Sequence, residues 1–303
     1  MRTLLATMAL CAAVAVPVAR ADATDAATTD AAADAPSAID SAGRSAMDAM
    51  QRGPQSIALA DQARLALPEG YGFVPNPQAA KLMEASGNTV DQRFIGLVLP
   101  LSTERWFATI EYEPSGYVAD DDAKDWNADA LLANLRDGTE AANAHREKIG
   151  VPAIEVTRWI EPPAYDSSTH RLVWSAEVKE KNAPPDRDPS VNYNTYVLGR
   201  EGYIALDLVT SASAIDAHKA AARELLAQVS FDDGKRYEQF DSSTDHVAAY
   251  GIAALIGGLA AKKLGLLAVA GAFLAKFAKV IILGAAAVVG AVAKFLNREK
   301  KTP

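Results

Sequence analysis

Apolar residues recur along this chain with two periods, and each period marks a different kind of element. Between about 57 and 240, alternating or β-branched runs occupy residues 64–67, 71–74, 94–99, 106–113, 154–160, 172–180, 191–198 and 203–209. Runs of this length and composition predict strands. Pro68-Glu69-Gly70 and Arg200-Glu201-Gly202 separate neighbouring runs and predict turns between them. The second has β-rich flanks on both sides and predicts a hairpin. Three stretches switch to helical spacing. Residues 77–85 predict a short helix stopped near Gly87. Residues 125–149 predict the longest, with Leu131, Leu135, Ala142 and Ile149 on one stripe and Gly150-Val151-Pro152 ending it. Residues 214–229 predict the third, carrying Ile215, Ala222, Leu225, Leu226 and Val229 along one side. Neighbouring antiparallel strands with separated helices predict an α+β fold, a mostly antiparallel sheet covered by the two longer helices.

The two ends follow other rules. Met1-Arg2-Thr3, an apolar run over 4–19 and the step Ala19-Arg20-Ala21 have the parts of a secretory signal peptide cut after Ala21. Residues 22–56 are mostly Ala, Asp, Thr and Ser, too polar to offset the entropy of ordering them, and predict a mobile linker. Met47 and Met50 fit a short helix near its end. Residues 247–293 are Ala, Gly, Val, Leu, Ile and Phe, broken by Tyr250, Lys262, Lys263, Lys276 and Lys279. A basic tail follows, with Lys294, Arg298, Lys300 and Lys301. Such a stretch predicts a membrane anchor over 241–303. One helical span and a helical hairpin both fit its length once the lysines reach to the headgroups.

Charge divides the chain at the same place. Residues 22–245 hold 20 Lys+Arg against 37 Asp+Glu, a net of −17, while residues 246–303 hold 8 against one, a net of +7. An acidic body is repelled by phosphate backbones, so nucleic acid is not an expected partner. The basic tail favours the cytoplasmic side of a bilayer and sets the body on the opposite, periplasmic side of the inner membrane. Cys11, the one cysteine, lies inside the signal, so the mature chain has no disulfide and no thiol chemistry.

Candidate chemistry is sparse. Glu111, Glu113, Asp120 and Asp122, with Asp121 and Asp125, are dense enough in oxygen ligands to hold Ca²⁺. Their spacing is not that of an EF-hand loop, and a solvated acidic loop leading into a helix N-terminus has the same composition. Trp106, Trp174 and Tyr193, with Trp126, Trp159 and Tyr196, can line a ligand groove or fill a core. Asn192-Tyr193-Asn194 stands out, because two amides flanking an aromatic suit a ligand or a buried polar neighbour better than a plain strand. His145, His170, His218 and His246 lack the three- or four-residue spacing of a zinc helix. No nucleophile elbow, phosphate loop or dinucleotide fingerprint is present, and no cofactor is implied.

Several short segments occur together in a familiar order: Leu67-Pro68-Glu69-Gly70-Tyr71, Glu111-Tyr112, Gly116-Tyr117-Val118 with Asp120-Asp121-Asp122, and Glu161-Pro162-Pro163-Ala164-Tyr165-Asp166. Leu172-Val173-Trp174-Ser175, Val191-Asn192-Tyr193-Asn194, Val197-Leu198-Gly199-Arg200 and Val247-Ala248-Ala249-Tyr250-Gly251 follow. As a set they closely resemble a bacterial family of uncharacterised membrane-anchored proteins, a domain of unknown function. The resemblance implies an exported, anchored domain and supplies no catalytic residues. A looser similarity of residues 203–231 to the end of PsbP-like domains implies an antiparallel sheet flanked by helices, a fold used for binding or assembly. The expected function is therefore a non-catalytic binding or assembly module of the cell envelope, whose partners are the lipid bilayer and an envelope protein or ligand. An envelope hydrolase using carboxylates or a metal is one alternative. A membrane-remodelling protein acting through its Gly/Ala-rich tail is another.

Overall fold

The computed structural model describes residues 37–257 apart from 89, 125, 149–151 and 185. The chain enters through α1 (Ala38–Asp48), β1 (Gln51–Arg52), β2 (Gln55–Leu59), β3 (Ala63–Leu67), β4 (Tyr71–Pro75) and α2 (Gln78–Ala85). It continues through β5 (Phe94–Pro100), β6 (Phe107–Glu113), β7 (Tyr117–Ala119), α3 (Ala128–Lys148), β8 (Ile154–Asp166), β9 (Arg171–Glu180), β10 (Ser190–Leu198) and β11 (Tyr203–Ser211). It closes with α4 (Ile215–Ala227), β12 (Val229–Phe231), β13 (Val247–Gly251) and the single turn α5 (Ala254–Gly257).

Eight strands form one antiparallel sheet in the order β1-β4-β5-β6-β11-β10-β9-β8. The α+β reading and every strand expected from the apolar runs are present. Arg200-Glu201-Gly202 is the β10–β11 hairpin, with Leu198 opposite Tyr203. Pro68-Glu69-Gly70 has a different role. It carries the chain from a second sheet, β12-β3-β2, into the main one.

Residues of β11 alternate between two covered faces, and the register carries that alternation across the sheet. Ile204, Leu206 and Leu208 point to one face with Tyr193, Val197, Ala108 and Ile110. There they meet Ile215, Ala222, Leu225 and Leu226 of α4, and Leu65 and Phe231 of the small sheet. We call this the α4 face. Tyr203, Ala205 and Val209 point to the other, the α3 face. At one end Leu172, Trp174 and Ala176 pack with Leu131 and Leu135 of α3 and Leu255 of α5. At the other, Val74, Leu97, Leu99 and Phe107 pack with Ala46 of α1 and Ala79, Leu82 and Met83 of α2.

Two longer helices alone do not cover this sheet, contrary to expectation. Eight strands at about 4.8 Å spacing make a layer roughly 34 Å wide, whereas one helix covers about 10 Å. The remaining cover comes from the small sheet and α1–α2. The linker expectation also yields at its C-terminal end. Ser37 caps α1 by accepting the Asp40 amide at 3.2 Å, and Ala42, Gly43 and Ala46 are buried. β1 and the first two residues of β2 also lie within the expected linker.

The inward side of α3 is polar, which the apolar stripe did not reveal. Thr139, Asn143 and Arg146 are buried along the row of Leu131 and Leu135, whereas Ala142 is only half-buried. β8 is an edge strand whose outer backbone groups need partners. Asn143 supplies them in both senses, donating from Nδ2 to the Ile154 carbonyl at 2.8 Å and accepting the Ile154 amide at 2.9 Å. Arg136 donates to the carbonyls of Val156 and Thr157, and Arg146 to that of Pro152. Side chains of a helix complete the ladder where another strand would.

Among the described residues no helix is long and apolar enough to cross a membrane. The expected signal, the first part of the linker and the apolar stretch beyond Gly257 lie outside the described residues.

Candidate functional site

Between its two apolar ends, the α3 face carries a row of polar side chains across β6, β11 and β10. Thr109 stands opposite Asp207, and Asp207 opposite Asn194. Asn194 in turn faces Trp174 on β9. Asn192 lies one pair along on the same face, and Glu111 and Tyr196 flank Ala205 on the other side. Thr109, Asn192, Asn194, Tyr196 and Asp207 are all at or below 6% exposure, and Glu111 is half-buried. α3 packs along β8 and α2 along β4 and β5, so these residues form a floor between two helical layers.

The floor has a defined polarity. Asn194 Nδ2 donates to the carbonyls of Trp174 at 3.3 Å and Asn192 at 3.2 Å, while Ser175 Oγ also donates to Asn192 O at 2.7 Å. The amide nitrogen is thereby committed to the sheet. Its oxygen has no hydrogen-bond partner among the described residues. Burial, and after it the Asp207 carboxylate, push the Tyr196 phenol well above its ordinary value. It stays protonated at any ordinary pH.

The sequence candidates thus divide. Trp174, Asn192, Asn194 and Glu111 share the α3 face, Trp174 forming the end wall with its indole N–H donated to Leu255 O at 3.1 Å. Trp106 and Tyr193 lie on the α4 face and belong to a different environment. Trp106 is buried beside Tyr71 and His218. The Tyr193 hydroxyl donates to Glu161 at 2.8 Å and accepts from Arg223 Nε at 2.9 Å, a closed trio that ties α4 to β8. Alternation alone separates Tyr193 from the two asparagines beside it.

The carboxylates go to four settings. Glu111 borders the floor, and Glu113 pairs with Arg93. Asp120 accepts from Tyr165 Oη at 2.6 Å, with His170 Nδ1 3.2 Å from the same hydroxyl. Asp122 accepts the Ala253 amide at 3.3 Å, and burial raises its carboxyl above the ordinary value against backbone hydrogen bonds that lower it. Among the described residues no group of three or more His, Cys, Asp or Glu side chains is arranged to hold a metal. Asp207 and Thr109 were missed as candidates. The signal was available, since a lone Asp interrupts the apolar run 203–209.

A second construction adjoins the floor at α5. β13 pairs in parallel with β7, Tyr117 N donating to His246 O at 2.8 Å and Ile252 N to Ala119 O at 3.0 Å. Gly116 (φ 85°) permits the approach, because a Cβ there would lie 2.5 Å from His246 O. Arg200 grips Asp245 with Nε at 2.6 Å and Nη2 at 2.8 Å. Tyr117 stacks between Tyr237 at 4.4 Å and Phe240 at 3.9 Å. Residues 241–257 are therefore part of the body, which extends past the expected boundary at 240. Ile252, Leu255 and Ile256 are buried in its core.

These motifs meet in one structure. The chain belongs to the family described as Protein of unknown function (DUF2167), whose family model matches residues 51–287. That region begins at β1 and takes in both the floor and the β7–β13 junction. No curated protein matches. Among solved structures, cyanobacterial PsbP (CyanoP) from Synechocystis sp. PCC 6803 is similar at 10% identity, with a TM-score of 0.35 over 61% of this chain and 93% of that one. The Ran-binding protein Mog1p of Saccharomyces cerevisiae is similar at 9%, with a TM-score of 0.34 over 63% and 100%.

Proposed function

We propose that this DUF2167 chain is a non-catalytic binding or assembly module of the cell envelope, held at the inner membrane with its body on the periplasmic side. The observation that carries the reading is the construction of residues 241–257. The segment that leads into the Gly/Ala-rich apolar stretch is clamped by the β7–β13 pair, by Arg200–Asp245 and by Trp174–Leu255. A body joined this firmly to its membrane lead is held in one orientation at the bilayer. That suits a module presenting a fixed face to a neighbour, and the acidic body favours a partner with basic or amine groups.

Alkaline carbonate washing of membranes from cells making the full chain tests the anchoring. The chain is expected in the pellet, and release into the wash overturns it. Crosslinking in intact cells tests the second half. A reproducible envelope partner is expected to join through lysines beside the body. Turnover of a defined substrate by the full chain, with no partner captured, would replace this reading with an enzyme.

One observation favours that rival. His170, in the left-handed region at φ 52°, is placed against Tyr165 and Asp120 at the rim of the β7–β13 junction. A hydrolase working there loses turnover in His170→Gln, whereas a binding module keeps its partner.

A further inference from the structure

We propose that Met47 and Met50 form an oxidation site, and that their conversion to sulfoxides releases α1 from the body. The inference goes beyond the anchoring and holds whether or not the tail lies in lipid. α1 packs along α2, and the residues it buries are Ala42, Gly43 and Ala46. These are small, so they remove little apolar area from water. The larger side chains at the seat are thioethers. Of the five methionines, Met1 and Met8 lie in the expected signal, and the other three meet here. Met47 and Met50 are half-buried against the cluster in which Met83 is 1% exposed.

Met50 has the closer seat. Its amide donates to Met47 O at 3.2 Å, so one turn carries both sulfurs. A Cβ on Gly72 would overlap Met50 Sδ. The sulfur therefore rests on bare backbone of β4, where Gly72 pairs with Arg52 on one side and Leu99 on the other. Oxidation makes this thioether polar and adds an oxygen to it. Left dry, that oxygen costs the desolvation of a polar group; turned to water, it lifts the sulfur off Gly72. Both weaken the hold on α1.

The described residues hold no cysteine, so methionine is their oxidisable sulfur. The oxidant is a peroxide from outside the protein. A sulfur lone pair attacks one oxygen of hydrogen peroxide, the O–O bond breaks, and the S–O bond forms as water leaves. Sulfur loses two electrons and the peroxide gains them, and a sulfoxide reductase reverses the change. Exposure places Met47 and Met50 ahead of Met83. The family region begins at Gln51, so α1 lies in front of it and opens without breaking a strand of either sheet. Release bares the side of α2 that α1 covers, an apolar surface the reduced chain keeps hidden.

Trypsin reads the state of α1, because the exposed Arg44 lies in the middle of that helix and resists cutting while the helix is seated. The full chain in its membranes, treated with hydrogen peroxide and quenched, is expected to carry sulfoxide at Met47, Met50 or both by peptide mass. Cutting after Arg44 should then be about tenfold faster, following local opening. A methionine sulfoxide reductase should restore the slow rate. Met47→Leu/Met50→Leu, near in volume, should be cut slowly with or without peroxide. Sulfoxide at these positions with an unchanged rate overturns the proposal. So does a peroxide-driven rise in the leucine chain, or both methionines left reduced at a dose that oxidises them in the urea-unfolded chain. Where the leucine chain is cut fast from the start, the reductase decides: a parent rate that stays fast after reduction overturns it.

Discussion

Leu206 and Asp207 are neighbours in one strand, and they face two different kinds of interior. Leu206 enters the α4 face, where β10, β11, α4 and the small sheet meet through apolar side chains. Asp207 enters the α3 face between Thr109 and Asn194, where the same strands present oxygen. Both positions are buried, at 0% and 2% exposure. Burial at the first stabilises the fold through area removed from water. At the second it costs desolvation, which only specific partners offset. The sheet is therefore an apolar fastening on one side and a polar interior on the other.

The largest effect expected from this contrast is on the fastening side. Leu206→Ala should cost about 3 kcal/mol, the transfer term plus a cavity that a strand pinned on both edges cannot close. Denaturant unfolding at unchanged slope measures it. A loss under about 1 kcal/mol means the α4 face is loosely packed and the contrast fails. Asn194→Leu, near in volume, should cost about 1–3 kcal/mol, because the Trp174 and Asn192 carbonyls lose the Nδ2 donor that meets them. A gain in stability would instead mark the amide oxygen as solitary. The two substitutions lie on adjacent strands, so the same unfolding experiment compares them directly.

Acid sharpens the comparison from the α4 side. His218 is buried under Trp106 with Nδ1 2.7 Å from Thr210 Oγ1, and burial lowers its pKa, with Glu104 opposing. The unfolded chain takes up that proton first, near the ordinary value of about 6.5. Stability from the neutral ring is thus full above that pH and declines as pH falls toward the depressed folded value. His218→Gln should flatten the slope of stability between about pH 6.5 and 5. An unchanged slope would show that the ring titrates as it does in water.

How much of this was legible in the chain follows from what each signal depends on. Strands β3 to β6 and β8 to β11 were visible because their apolar residues alternate locally. The ends of α2 and α4 were visible from turn residues and stripe. The short strands β1, β7 and β12 carry too few residues for a period, β13 lies in a stretch read as membrane anchor, and all four pair with a distant segment. The same holds for the inner side of α3. Asn143 and Arg146 lie off the expected apolar stripe of Leu131, Leu135 and Ala142, and only the bare edge of β8 makes their side an interior one. For the floor, Asn192 and Asn194 were legible as amides in a strand. Asp207 was legible only as an interruption, and its company with Thr109 and Asn194 required the β6–β11–β10 register.

The smallest effect expected on global stability is also the one that separates the body from its lead. Asp245 is held below the ordinary carboxylate range, first by the side-chain hydrogen bonds from Arg200 and then by the Asp241 amide. Its depressed value means the clamp is intact above the unfolded pKa of about 3.9 and loosens only as pH falls well below it. Arg200→Ala removes the clamp at neutral pH instead. The β7–β13 pair, the Tyr117 stack and Trp174–Leu255 remain in that variant, so the thermal midpoint of the body should move little. What should change is access. The loop between Phe240 and Val247 loses the group that draws Asp245 inward, and limited proteolysis should cut there several-fold faster, following local opening rather than global unfolding. Equal cutting rates with an equal midpoint would mean that residues 241–257 are held by β13 and α5 alone. The joint between body and apolar stretch would then rest on packing, and Arg200 would be an ordinary surface ion pair.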